Sequence, residues 1–420
     1  MIETLQKTID LISSRSRKAG AKLIDVSSKD INACIREMAG LLKTERGRLL
    51  VENEKDLTAA RRKNLSPAMI DRLTLSDKTL TAMIKGLREV AGLNSLVGQT
   101  FDSRKRPNGL TIYKSRVPIG VIGIIYESRP NVTVDAAALC LKSHNAVVLR
   151  GGSEAFHTNT ALAKLFAQAL SRRGLPAFAV QLIPTVDRKA IDLLLAKSED
   201  IDLIIPRGGE SLIRTVVEKS RIPVIKHYKG VCHVFVSKHA DIKKALKIVV
   251  NAKTQRPGVC NAMETLLLDE KLPDRDKKTV LDALIEKGVE LFGDSACRKL
   301  CPGMRAATKS DWYAEYLDLR LAVRVVNGID GAIDHINTYG SRHTDAIVTE
   351  SKSEAARFCK LVDSSSIMVN ASTRFSDGGE FGLGCEIGIS TDKLHARGPM
   401  GIDELTTYKW IVRGNGQIRT

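Results

Sequence analysis

The chain has 420 residues, 43% of them hydrophobic and 27% charged, with eight cysteines and a formal net charge of +17. That length allows two ordinary domains or one large α/β unit with an appendage, and the apolar share suffices for a sizeable core. No run of eighteen apolar residues occurs, so no membrane span is expected. The basic excess suits nucleic acid, small anionic substrates or simply a basic surface. It is scattered through "RSRKAGAK", "ARRKN" and "DSRKRPNG", aromatics make up only 4%, and no zinc-finger or RNA-recognition pattern appears. Nucleic acid is therefore not the expected partner.

The first twenty residues carry early acidic side chains and no continuous apolar run, unlike a signal peptide. The cysteines lack paired short spacings, so reduced thiols and a cytoplasmic location are expected. From Met1 to about Val97 the apolar residues recur at helical spacing. "LTIYKSRVPIGVIGIIYES" then changes period and predicts a strand or hairpin followed by a buried strand. Two similar units come next, "NAVVLRGGSEAFHTNTALAKLFAQAL" and "IDLIIPRGGESLIRTVVEKS", each a strand, a Gly-Gly turn and a helix. Further strands are predicted at "PAFAVQLIPT", "IPVIKHY" and "CHVFVS". Such alternation argues for a parallel, doubly wound sheet. A Gly-Gly turn opening a helix is either a tight corner or a phosphate cradle, and neither turn carries the full dinucleotide fingerprint.

A second α/β run spans 237–370, with strands at "ETLLLD", "LAVRVVNG", "DAIVTE" and "SSIMVN". The tail holds a Gly-rich loop, "DGGEFGLGCEIG", and a final strand, "TTYKWIVRG", left to pair with an earlier hairpin or another subunit. Cys260 follows Pro257 and Gly258 between an amphipathic helix and an apolar strand. It reads either as filler at a strand entrance or as an exposed nucleophile beside Arg256. Cys34, Cys140 and Cys359 fall in helical patterns, Cys232 opens a strand, and Cys385 is the rival. "CRKLC" lacks metal-ligand spacing and a nearby His, so no metal is expected. A Ser-His-Asp hydrolase lacks its nucleophile elbow.

The stretches "VPIGVIGIIYESRPNVTVDAAALCLKSHNAVVLRGGSEA", "IIPRGGESLI", "TQRPGVCNAMETLL", "HTDAIVTE" and "EFGLGCEIGISTDKLHARGPMGIDELTTYKW" resemble the γ-glutamyl phosphate reductase family, within the aldehyde dehydrogenase superfamily. The likeness covers essentially the whole chain. It implies an aldehyde dehydrogenase-like α/β fold: two doubly wound domains plus a small β oligomerisation flap. The cofactor-binding domain would span 1–101 and 118–236, with part of 371–400 returning to it. A catalytic domain over 237–370 would carry Cys260, and 102–117 with 401–420 would form the flap.

By the same resemblance Cys260 is the nucleophile and Asn131 the side-chain amide of an oxyanion hole. Arg150, Ser153 and Glu154 match the adenosine-side segment, Gly208, Gly209 and Ser211 the pyrophosphate-side helix start, and Glu315 a nicotinamide-ribose ligand. Arg129, Arg256 and Arg374 are the candidates for the substrate's phosphate and carboxylate, with His395 and Arg397 behind them. The implied reaction is NADPH-dependent reduction of γ-glutamyl phosphate through a Cys260 thioacyl intermediate, in proline biosynthesis. The implied partners are that small-molecule substrate, further copies of the chain, and a glutamate 5-kinase through functional coupling. One departure stands out: "HYKG" puts His227 where hydrolytic aldehyde dehydrogenases keep a water-activating glutamate. Coenzyme A-acylating and aldehyde-oxidising enzymes are the alternatives.

Overall fold

A computed structural model of the chain describes residues 2–127 and 129–419. They divide into two compact units: Met1–Lys226 with Gly382–Gly388 and Met400–Thr420, and His227–Phe381 with Ile389–Pro399.

The first unit opens with five helices: α1 Ile2–Leu23, α2 Ser28–Thr44, α3 Arg46–Arg62, α4 Pro67–Leu73 and α5 Asp77–Gly92. Serines start three of them. The hydroxyls of Ser27, Ser66 and Ser76 accept the N–H of Asp30, Met69 and Thr79, which would otherwise lack an intrahelical partner. Next come β1 Thr100–Lys105, β2 Thr111–Pro118, β3 Val121–Tyr126, α6 Pro130–Lys142, β4 Ala146–Arg150, α7 Phe156–Arg172, β5 Val180–Leu182, α8 Lys189–Leu195, β6 Leu203–Arg207 and α9 Glu210–Lys219. A four-stranded parallel sheet has the order β5-β4-β3-β6. Every residue of β3 and β4 is buried. Their near-continuous Val and Ile runs suit strands covered on both faces.

In the second unit the elements are β7 Cys232–Val236, α10 Ile242–Thr254, β8 Met263–Asp269, α11 Asp274–Glu286, β9 Glu290–Gly293, α12 Ser295–Leu300, β10 Arg305–Ala306, β11 Arg320–Val326, α13 Gly328–Tyr339, β12 Thr344–Val348, α14 Lys352–Leu361 and β13 Ser366–Val369. Its seven-stranded parallel sheet runs β10-β9-β11-β8-β7-β12-β13. A short pair follows, β14 Gly388–Ser390 and β15 Gly398–Met400, and the chain changes unit within each. Last is β16 Thr406–Arg413. It pairs antiparallel with β2 from Thr406 opposite Pro118 to Arg413 opposite Thr111, giving a separate three-stranded sheet, β1-β2-β16.

Two sequence expectations change. "CHVFVS" becomes β7, which lies in the second sheet rather than the first, so the change of unit falls at Lys226/His227 and not after residue 236. "IPVIKHY" contains no strand, only one bridge from Val224 to Ile204. An apolar run shows that a strand is buried, but sheet membership depends on partners distant in sequence. Pro223 also removes a ladder donor from the second run.

Candidate active site

In the second unit the chemistry collects at the N-terminal ends of four adjacent strands, β11, β8, β7 and β12. Cys260 lies on the loop between α10 and β8. His227 and Gly230 precede β7, His343 immediately precedes β12, and Glu315 lies on the segment leading to β11. Sheet order therefore gathers residues scattered over 117 positions of chain, from His227 to His343.

Cys260 is half-buried, and its ligating atom lies with those of His227 and His343 in a group whose members are all within 4.8 Å of one another. The two imidazoles meet edge-on, with ring centroids 5.5 Å apart. His227 Nδ1 sits 2.9 Å from the carbonyl oxygen of Ile389. A carbonyl can only accept, so Nδ1 carries the proton and neutral His227 keeps its lone pair on Nε2. The Cys260 backbone is held from two sides. The thiol of Cys232 donates to its carbonyl at 3.2 Å, and Gly230 lies so close that a side-chain carbon there would overlap that carbonyl and stand 2.6 Å from the Cys260 Cα. Burial drives the Cys232 thiol well above its usual range, so Cys232 acts as a donor rather than a nucleophile. Cys385 lies in the other unit, its Sγ against Gly86.

Glu315 accepts the Gly230 N–H at 2.8 Å, which ties the ribose candidate to the strap beneath Cys260. Two residues on, Leu317 donates its N–H to Glu264 Oε1 at 3.2 Å. The other oxygen of Glu264 meets Lys253 Nζ at 2.6 Å, and both side chains are fully buried. Burial pushes the carboxyl up and the ammonium down, opposed in each by the partner's charge. The pair joins the end of α10 to the start of β8, the two elements that flank the cysteine loop.

Arg374 donates from Nε to Gln255 Oε1 at 2.8 Å. Desolvation and then the neighbouring charge of Arg256 lower its pKa, with Cys260 among the groups it senses. Two guanidiniums therefore stand beside the cysteine loop, an arrangement that an anion relieves. Arg397 is otherwise engaged, donating to Asp363 Oδ1 at 2.8 Å, where Lys393 also arrives. His395 is exposed on the segment between β14 and β15. His233, six residues after His227, is a structural residue: both its backbone N–H and its Nδ1 bond Asp345 Oδ1 in a fully buried pair.

The first unit holds the remaining candidates. Its strand order changes direction at β3, since β4 and β5 extend to one side and β6 to the other. The crevice at the C-terminal ends of β3 and β6 is the place where open α/β sheets bind nucleotides. Gly208 and Gly209 open the ten-residue α9 there. Gly209 N–H donates to Glu127 Oε2 at 2.8 Å, and a side chain on Gly208 would meet that oxygen at 2.5 Å. A carboxylate oxygen thus occupies the helix start, so the turn accepts an anionic oxygen as a pyrophosphate site must. Ser211 is exposed in the first turn.

Arg150 is buried, donating to the carbonyls of Gly151 at 2.8 Å and Val186 at 3.0 Å. This guanidinium braces the loop before α8, and exposed Arg188 lies near enough for its charge to oppose that of Arg150. Ser153 is exposed, and the Glu154 carboxylate folds over Gly152, where a side-chain carbon would have to displace it.

Arg129 is the N-cap of α6 and Asn131 lies in its first turn. Asn131 Nδ2 donates to Asp135 Oδ2 at 3.0 Å, one helical turn on, which orients the amide. Burial pushes the Asp135 carboxyl up to about 6, opposed by that hydrogen bond and by Arg207. Because this folded value exceeds the ordinary 3.8 of an aspartate, the folded chain keeps a proton that the unfolded chain has lost between the two. Stability therefore falls as pH rises from about 4 to about 6 and stays lower above. Asp135→Asn keeps an acceptor for Asn131 and should raise the melting temperature by roughly 2–4 °C at about pH 8, with no gain near pH 4. Thermal unfolding at both pH values checks this.

Glu127, Asp135, Gly230, Lys253, Glu264 and His343 were not singled out in the sequence. His343 opens the quoted stretch "HTDAIVTE" and Gly230 ends "HYKG", so both had a local signal. Glu127, Asp135 and Glu264 also lie in quoted stretches, but their roles, like that of Lys253, depend on tertiary pairing that the stretch does not announce. The expectation of no metal rested on the spacing around Cys297 and Cys301 and on the lack of a His near them in sequence, whereas the fold places two imidazoles beside Cys260.

The sequence pattern of the aldehyde dehydrogenase family matches residues 3–293. A gamma-glutamyl phosphate reductase of Geotalea daltonii is 54% identical over 416 residues, covering 99% of this chain and 100% of the relative. The crystal structure of gamma-glutamyl phosphate reductase from Thermotoga maritima superposes with a TM-score of 0.96 at 43% identity, over 98% of this chain and 100% of that one. An engineered glycolyl-CoA reductase with bound NADP+ shares the fold, with a TM-score of 0.67 at 16% identity over 96% of each chain. The chain belongs to the aldehyde dehydrogenase family, in the branch of the gamma-glutamyl phosphate reductases.

Proposed function

We propose that the chain reduces γ-glutamyl 5-phosphate to glutamate 5-semialdehyde with release of phosphate, using NADPH, as the second step of proline biosynthesis from glutamate. The observation that carries this reading is the full-length likeness to the reductases, together with a half-exposed Cys260 flanked by paired guanidiniums.

The Cys260 thiolate attacks the acyl carbon, the carbon–oxygen bond to phosphate breaks, and a thioester remains on Sγ. His227 Nε2, held as the acceptor, receives the thiol proton. Arg374 and Arg256 bind the phosphate, and the Asn131 amide with the Cys260 N–H meets the developing oxyanion. Bound NADPH supplies the hydride that brings the thioester to the aldehyde level. Gly208, Gly209 and Ser211 would hold its pyrophosphate once Glu127 yields the helix start, and Glu315 its nicotinamide ribose. With the Arg150 guanidinium taken by backbone carbonyls, exposed Arg188 is the cation for the 2′-phosphate. The thiohemiacetal finally expels the Cys260 thiolate and frees the aldehyde, which cyclises unaided. With His227 in place of a water-activating glutamate, the thioester waits for hydride or phosphate instead of hydrolysing.

The β1-β2-β16 sheet leaves Tyr408, Trp410 and Val412 exposed, which suits assembly into a homo-oligomer. Among the described residues no helix is long and apolar enough to cross a membrane. A cytoplasmic location and functional coupling to a glutamate 5-kinase complete the proposal.

Generating the unstable acyl phosphate in place, with a glutamate 5-kinase and ATP, tests the reaction through NADPH oxidation. Oxidation should require kinase, glutamate and ATP together, and NADH should serve less well. Activity on an acyl-coenzyme A without the kinase would favour the acylating alternative. In the same assay Arg374→Gln should raise KM for the acyl phosphate about tenfold, the loss of one charge-assisted contact. An unchanged KM would remove Arg374 from the phosphate site.

A further inference from the structure

We propose that His227, Cys260 and His343 form a binding site for zinc and similar soft divalent cations, and that filling it reversibly blocks the nucleophile. The blocking half rests on the reading of Cys260 as nucleophile, whereas the metal-binding half does not.

One thiolate and two imidazoles are the donor types that zinc selects. The three ligating atoms already lie within 4.8 Å of one another. Tetrahedral zinc, with bonds of about 2.0–2.3 Å, needs them about 3.3–3.5 Å apart. The remaining closure of about 1 Å falls within side-chain rotation of Cys260 and His227, which are half-buried, around the buried His343.

Two features prepare the site. The Nδ1–H of His227 bonds the Ile389 carbonyl at 2.9 Å. This is the outer-shell contact that zinc-binding histidines use to fix the tautomer and present Nε2. His343 Nδ1 lies 2.9 Å from Thr344 Oγ1, a contact that steadies the ring whichever of its nitrogens carries the proton. The Cys260 backbone is clamped by Cys232 and Gly230, so the thiol has a fixed base from which to rotate. On binding, the S–H bond breaks, the proton leaves to solvent and an S–Zn bond forms without any redox change. Affinity should therefore rise with pH. The fourth position stays open to water. Magnesium and calcium, which prefer oxygen ligands, should not compete.

Cobalt(II) is the probe, titrated into chelator-treated full-length enzyme. Binding should produce a thiolate-to-cobalt charge-transfer band and the visible bands of four-coordinate cobalt, with zinc displacing it. Cys260→Ser, a one-atom change, should abolish the charge-transfer band, and His227→Ala should weaken binding at least about tenfold. Zinc in the low micromolar range should stop turnover, and a chelator should restore it. Absence of the thiolate band, or its survival in Cys260→Ser, would overturn the site while leaving the reading of Cys260 intact. Tight zinc binding with full turnover would overturn the block, and with it that reading.

Discussion

Replacing Cys260 with alanine lowers kcat for NADPH oxidation by at least about a thousandfold, because the covalent step has no other nucleophile. Cys232 cannot substitute, since its thiol is buried and donates to the Cys260 carbonyl. Cys385 is engaged elsewhere, its Sγ packed against Gly86 of α5. The thiol is half-exposed, so its loss should leave the melting temperature nearly unchanged, unlike removal of a core group. Steady-state kinetics and thermal unfolding on the same preparation separate these effects. A variant that keeps its activity while losing stability would mean that Cys260 fills space and does no chemistry.

Gly230→Ala should do comparable damage by another route. A methyl group there would overlap the Cys260 carbonyl, and backbone is not a flexible neighbour that can swing aside. The Gly230 N–H also holds Glu315, so the strap cannot retreat without releasing a carboxylate assigned to the cofactor. Overpacking of this kind costs about 1–3 kcal/mol. Displacing the sulfur by about 1 Å can cost about a hundredfold in rate. The expected result is a kcat at least about a hundredfold lower in a chain that still folds, with a midpoint shifted toward lower denaturant. Wild-type kinetics in this variant would show that the strap does not position the cysteine.

Much of the architecture was legible. Helical periodicity covers α1 to α5, and the Val- and Ile-rich runs became buried parallel strands. The unpaired tail strand found its place as β16 on β2. What could not be read was which sheet a strand joins: "CHVFVS" is as apolar as its neighbours, and only the pairing of β7 with β8 and β12 puts it in the second unit. The same reason hid half of the site. Cys260 announced itself by a Pro-Gly turn, but His343, Gly230 and the Lys253–Glu264 pair matter only because adjacent parallel strands bring their N-terminal ends together. Arg150 shows the converse. It sits where a cofactor cation was expected, yet two backbone carbonyls take its guanidinium.

On the proposed mechanism phosphate, and not water, resolves the thioester on Cys260. Rapid mixing of the enzyme with NADP and glutamate semialdehyde, without phosphate, tests it most directly. The predicted result is a burst of one NADPH per active site, then a stall that added phosphate relieves. Continued turnover without phosphate would show that water resolves the acyl enzyme, contradicting both the role given to His227 and the phosphate chemistry.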